Sequence, residues 1–147
     1  MSLTATLLKL LGLTQALQAL KASFDGLEAA RREKIAAYAE AIAATFARAA
    51  AAFGVLEKDP ADRLARRDAT REIGRIAGYV EDIVQTLGAH LDGRKRAGLM
   101  RRLADIANAD LTAAPAVDAS VRQRRPPTER LLEAEGYFRA LADGLRT

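Results

Sequence analysis

Residues 31–53 read RREKIAAYAEAIAATFARAAAAF. Ile35, Ile42, Phe46 and Phe53 recur at spacings of seven, four and seven. At ~100° per residue these four side chains fall within roughly 40° of one another around a helix, with Tyr38 at the edge of the stripe. Thirteen alanines between Ala29 and Ala52 fill most of the other positions. Large residues on one face and methyl groups elsewhere describe a helix that neighbours can approach closely. This stretch is expected to be the central helix of an all-α fold.

The chain before it is rich in leucine. Leu3, Leu10, Leu17 and Phe24 lie seven apart, and Leu13, Leu20 and Leu27 form the second row of a heptad. Leu7, Leu8 and Leu11 fall outside that seam, so the helix expected over residues 1–22 is apolar nearly all round. It carries more apolar surface than one neighbour covers. That makes Leu3, Leu7, Leu8 and Leu11 the candidate contact residues for a partner or for a second copy. Asp25 and Glu28 have capping-box spacing, which predicts a break there and a central helix over 25–53 closed by Gly54.

Beyond it, Asp59-Pro60 reads as an N-cap followed by a first helical residue. Ile73, Ile76, Val80, Ile83, Val84 and Leu87 give the apolar stripe of a helix over 60–91. Two long helices joined by so short a turn are expected to lie antiparallel. Asp92-Gly93 opens a basic helix over 94–108, with Leu99, Leu103 and Ile106 inward. Residues 110–127 hold three of the four prolines and read as a linker. A last helix over 128–146 packs through Leu131, Phe138, Leu141 and Leu145. The expectation is one domain, 1–147, an antiparallel bundle of four to five helices around two long central ones.

Composition agrees with this and excludes several chemistries. At 147 residues the chain is long enough to bury a core without staples. Only 5% of residues are aromatic and 29% are charged, so the core is built from Leu, Ile and Ala. The absence of cysteine rules out disulfides, thiolate metal sites and a thiol nucleophile. No apolar run approaches ~20 residues, so no transmembrane helix is expected, and no signal-peptide pattern opens the chain; a cytoplasmic protein is expected, with membrane attachment disfavoured. High Ala and Arg with little Lys point to a GC-rich bacterial genome.

The positive charge is concentrated. Between Arg94 and Arg130 there are nine Lys/Arg against four Asp/Glu, while the rest of the chain has fourteen against fifteen. Arg94, Lys95, Arg96, Arg101, Arg102, Arg122, Arg124 and Arg125 are therefore the candidate patch for nucleic acid or an acidic protein face. No aromatic residue lies among them to stack a base. A second row, Arg63, Arg67, Arg71 and Arg75, runs opposite Ile73, Ile76 and Val80, with Asp68 and Glu72 placed to neutralise it. Gly74 and Gly78 share that outward side, a spacing that suits a close helix crossing or marks a local weak point in the long helix.

Catalytic signals are missing. The single histidine, His90, has no Glu three residues before it and is expected to be a partly buried packing residue. No phosphate-cradling glycine motif and no nucleophile motif occurs. Glu33, Glu40, Glu81 and Asp82 could pair in space, but at generic spacing. No cofactor, no metal and no enzymatic activity are expected.

The segment 31–46, RREKIAAYAEAIAATF, resembles a helix opening in small helical accessory and adaptor modules of bacterial conflict (antiphage) systems. That resemblance implies a helical module that docks an effector or sensor to its partner, and it transfers no functional residue. Together these readings predict a non-enzymatic interaction module, a homo-oligomer or a small subunit of a larger complex, contacting partners through its first helix. The alternative is a nucleic-acid-binding accessory subunit that uses the region 94–130.

Overall fold

The computed structural model describes residues 3–18, 20–107 and 127–147. Those residues are 91% helical and contain no strand. The helices are α1 (Leu3–Gln18), α2 (Lys21–Asp25), α3 (Ala29–Lys58), α4 (Arg63–Leu87), α5 (Gly93–Ala107) and α6 (Pro127–Arg146), with a 3₁₀ turn Gly88–His90 after α4. The fold is all-α, as the periodicities imply.

The helix α3 is the axis. At 30 residues it is about 45 Å long, and α4 and α6 both pack along it. Ile35, Ile42, Phe46 and Phe53 are fully buried, and Ala36, Ala39, Ala43 and Ala49 are buried beside them. Burying each large side chain contributes about 1.5–3 kcal/mol. The alanines let neighbouring backbones come near the short end of the usual ~8–10 Å interaxial range. Phe46 meets Phe138 of α6 with ring centroids 5.8 Å apart, and Tyr38 meets Tyr79 of α4 at 6.5 Å.

Polar contacts tie the ends of α3 to α6. Near the start of α3, Glu33 and Glu40 both accept from Arg146 at the end of α6. Near its end, Glu57 Oε1 accepts from the Thr128 backbone N–H (3.2 Å) and hydroxyl (2.9 Å) at the start of α6. A carboxylate at a helix N-terminus satisfies an orphan donor and opposes the positive end of the dipole.

Helix count and boundaries depart from expectation in instructive ways. Among the described residues six α-helices are present where four to five were expected, because the leucine heptad is broken between α1 and α2. At that bend the Leu20 N–H donates to Leu17 and the Ser23 N–H to Leu20. Leu20, Phe24 and Leu27 all remain buried through it. The Asp25/Glu28 capping box does not form: Asp25 is the last residue of α2, and Glu28 caps α3 with no side-chain hydrogen bond.

Nor does Gly54 end α3, which runs on to Lys58 and buries Leu56. Packing of that last turn against α6 outweighs the ~1 kcal/mol helix cost of glycine. Asp62, not Asp59, caps α4, accepting from Ala65 N–H at 2.9 Å. Asp59 instead organises the turn, accepting from Ala61 N–H at 3.2 Å. The other end of α4 comes at Leu87, because Gly88 takes φ +49°, a region that only glycine adopts cheaply. His90 is exposed on the turn that follows, not a partly buried packing residue.

By length and composition α3 is also apolar enough to cross a membrane, and 56% of its most apolar window is buried inside the chain. The alanines supply that apolarity, so the expectation that no segment is long and apolar enough does not hold for α3. The expected linker over 110–127 falls almost wholly outside the described residues.

Candidate partner-binding surface

Of the leucines expected to face a partner, Leu3 and Leu7 are covered within the chain, at 0% and 1% exposure. Leu8 and Leu11 are half-buried. The reason is that α1 touches α4, α5 and α6 rather than one neighbour. These three contacts cover Leu3 and Leu7 and leave Leu8 and Leu11 partly exposed.

The basic helix behaves differently. Leu99 and Leu103 hold α5 to the core, and Asp92 Oδ1 accepts the Arg94 backbone N–H at 2.8 Å. Arg94, Lys95, Arg96, Arg101 and Arg102 are all exposed. Arg102 Nη1 donates to the Gly12 carbonyl at 3.3 Å, fastening α5 to α1. Among the described residues no carboxylate pairs with any of the five. Arg122, Arg124 and Arg125 lie outside the described residues.

A surface that the sequence did not reveal lies where the second half of α3 meets the first half of α4. A groove of about 400 Å³ opens there. Its apolar part is Ala51, Val55 and Leu64, and Val55 and Leu64 are 43% and 65% exposed. Its polar wall is Glu72 between two arginines. Glu72 is only 3% exposed, takes Arg48 Nε on Oε2 at 3.1 Å, and lies 3.6 Å from Arg71 Nε through Oε1. Arg48 Nη2 also donates to Thr45 Oγ1 at 2.9 Å, and Arg71 Nη2 to Asp68 Oδ1 at 2.8 Å. The carboxylate is thus held between two guanidiniums, and Asp68, which also lines the groove, shares one of them. The missed signal was Leu64, a large apolar residue out of phase with the buried stripe that begins at Ala65 and Ala69.

The other candidate acids do not form a reactive pair. Glu33 and Glu40 converge on Arg146, and hydrogen bonding to that guanidinium holds the Glu33 carboxyl below its ordinary range. Glu81 accepts from Gln85 Nε2 at 3.5 Å. A smaller cleft of about 270 Å³ lies between Phe24, Arg32, Tyr137 and Leu145, where burial raises the Tyr137 phenol. Among the described residues no cluster of three or more His, Asp or Glu could hold a metal ion. No known protein family, curated protein or solved structure matches this chain.

Proposed function

We propose that this chain is a non-enzymatic interaction module of the bacterial cytoplasm, working as a homo-oligomer or as a small subunit of a larger complex. In this reading α3, α4 and α6 form an antiparallel bundle with α3 and α4 as its spine. The observation that carries the proposal is the α3–α4 groove, where two large apolar side chains stay exposed inside a ring of charges. Apolar patches rimmed by polar groups mark docking surfaces. The contact surface is placed here rather than on α1, where Leu3 and Leu7 are buried within the chain and only Leu8 and Leu11 remain partly exposed. The likeness of residues 31–46 to conflict-system adaptors adds the expectation that the larger complex is of that kind.

Affinity purification of the tagged chain from its native host, with and without nuclease, tests this. A stoichiometric protein retained by the wild type and lost from a Val55→Glu/Leu64→Glu variant supports it. Equal retention by both overturns the groove, and recovery of a lone monomer overturns the module.

The exposed cations of α5, which pair with no carboxylate among the described residues, favour a second reading, a nucleic-acid-binding accessory subunit. Contact through phosphates alone predicts affinity that falls steeply with salt and tolerates any sequence. Replacing Arg94, Lys95, Arg96, Arg101 and Arg102 by Gln should abolish retention on immobilised DNA or RNA. Unchanged retention refutes it.

A further inference from the structure

The outward side of α4 carries a second pattern, independent of its buried stripe. Arg67, Arg71, Gly74, Gly78, Glu81 and Gln85 are all exposed, at spacings that alternate between four and three. That alternation traces one straight seam along the helix, polar and glycine where a coiled coil carries apolar residues. Ile73, Ile76, Val80, Ile83 and Leu87 already hold the helix to the core, so this seam, apart from the contact of Arg71 with Glu72, is surplus to the fold. Its charge changes sign along its length: Arg67 and Arg71 precede the two glycines and Glu81 follows them, while Arg75, exposed between the glycines, donates to the Tyr79 hydroxyl of its own chain at 3.3 Å. Arg67 makes no ion pair among the described residues, and Arg71 stays 62% exposed despite pairing with Asp68. A Cβ built on Gly74 or Gly78 meets nothing within 4 Å, so the helix backbone itself is open to approach.

We infer that α4 pairs with α4 of a second copy, antiparallel, about a two-fold axis midway between Gly74 and Gly78. This names the partner within the interaction-module reading and rests on it. A two-fold axis there sets each Arg71 against the other copy's Glu81, each Arg67 against Gln85, and each Gly74 against Gly78. Both Arg71–Glu81 pairs form at once, because the interface is isologous. A parallel pair in register would set Arg67 on Arg67, Arg71 on Arg71 and Glu81 on Glu81, which is repulsive at every charged layer. The glycines permit the close crossing, and the charges choose its direction. Arg71 can serve both its own Asp68 and the other copy's Glu81, because a guanidinium presents five donors. Few apolar groups are buried, so the pair is weak and sensitive to salt.

Sedimentation across a concentration series at low and high salt tests this, with circular dichroism to follow folding. The wild type should form a dimer that dissociates at high salt. Arg71→Glu and Glu81→Arg should each weaken it by roughly tenfold or more, two pairs being reversed at once. Mixing those two variants should restore a dimer, because each then supplies the charge that the other lacks. Gly74→Gln/Gly78→Gln blocks the approach while raising helix propensity, so it should be a folded monomer. A wild type that stays monomeric throughout overturns the self-pairing. A dimer indifferent to these substitutions, or a mixture that fails to reassociate, also overturns it. If a heterologous partner is still captured through Val55 and Leu64 in those cases, the interaction-module reading stands without it.

Discussion

Replacing Gly54 by Ala separates two accounts of where the central helix ends. If the chain stopped at Gly54 in a left-handed cap, a Cβ there would cost about 1 kcal/mol or more. In the structure Gly54 sits inside α3, four residues before its end, and its φ is negative. An added Cβ would come 3.9 Å from Thr128 Oγ1, an ordinary van der Waals contact. The substitution then removes the helix penalty of glycine and leaves the α3–α6 packing alone. It should stabilise the chain by about 0.5–1 kcal/mol. For a chain of this size that raises Tm by roughly 1–4 °C. Gly88→Ala provides the opposite case. Its φ of +49° makes the same chemical change destabilising by about 1–2 kcal/mol. Urea titration followed by circular dichroism reads both. Destabilisation by Gly54→Ala would show that α3 ends earlier or that α6 presses closer than 3.9 Å, and the packing argument for the last turn of α3 would fail.

Two further substitutions probe single contacts. Asp62→Ala removes the one side-chain cap of α4, so it should cost about 1 kcal/mol and speed amide exchange at Ala65; unchanged exchange there would reject the cap. Arg146→Gln should destabilise at neutral pH but not in acid, because the Glu33 carboxyl is held low only in the folded state. Its contribution is present above the ordinary carboxylate range and disappears as pH falls through the lowered folded value. Denaturation of the two proteins at several pH values should show the gap closing in acid, and a gap that persists there would remove Glu33 as the cause.

The buried set was legible because burial imposes a period. Ile35, Ile42, Phe46 and Phe53 on α3, the Ile73-to-Leu87 stripe on α4, and Leu131, Phe138 and Leu141 on α6 are all inside. Local punctuation was less reliable, because Gly54 and Asp59 carry strong local signals that packing overrode. The α1 leucines show a different limit. Periodicity says that a side chain is buried, not by whom, and Leu3 and Leu7 are covered by the same chain. The α3–α4 groove was illegible because it depends on how two helices splay, a property that neither sequence segment contains alone.

Glu72 shows how a residue that reads as surface charge can set the register of the bundle. Its place between Ala69, Ile73 and Ile76 puts it at the edge of the buried stripe, and it is 3% exposed. The facing part of α3 is mostly alanine, and methyl groups at successive turns look alike to a sliding neighbour. Arg48 is the only cation between Lys34 and Lys58. Slipping α4 along α3 by one turn, about 5.4 Å, would carry the Glu72 carboxylate away from it. The ion pair therefore distinguishes the native register where packing alone discriminates weakly. An asymmetry follows from exposure. Arg48 is 47% exposed, so it returns to water if its partner is removed, whereas Glu72 cannot. Arg48→Ala should cost about 1–3 kcal/mol, the upper end limited by Arg71, which remains 3.6 Å away. Glu72→Met, an apolar replacement of similar length, should cost less than about 1 kcal/mol. Urea denaturation of both variants decides it. A larger loss for Glu72→Met would mean that the pair holds the helices by net attraction, and not by penalising the registers in which the carboxylate goes unpaired.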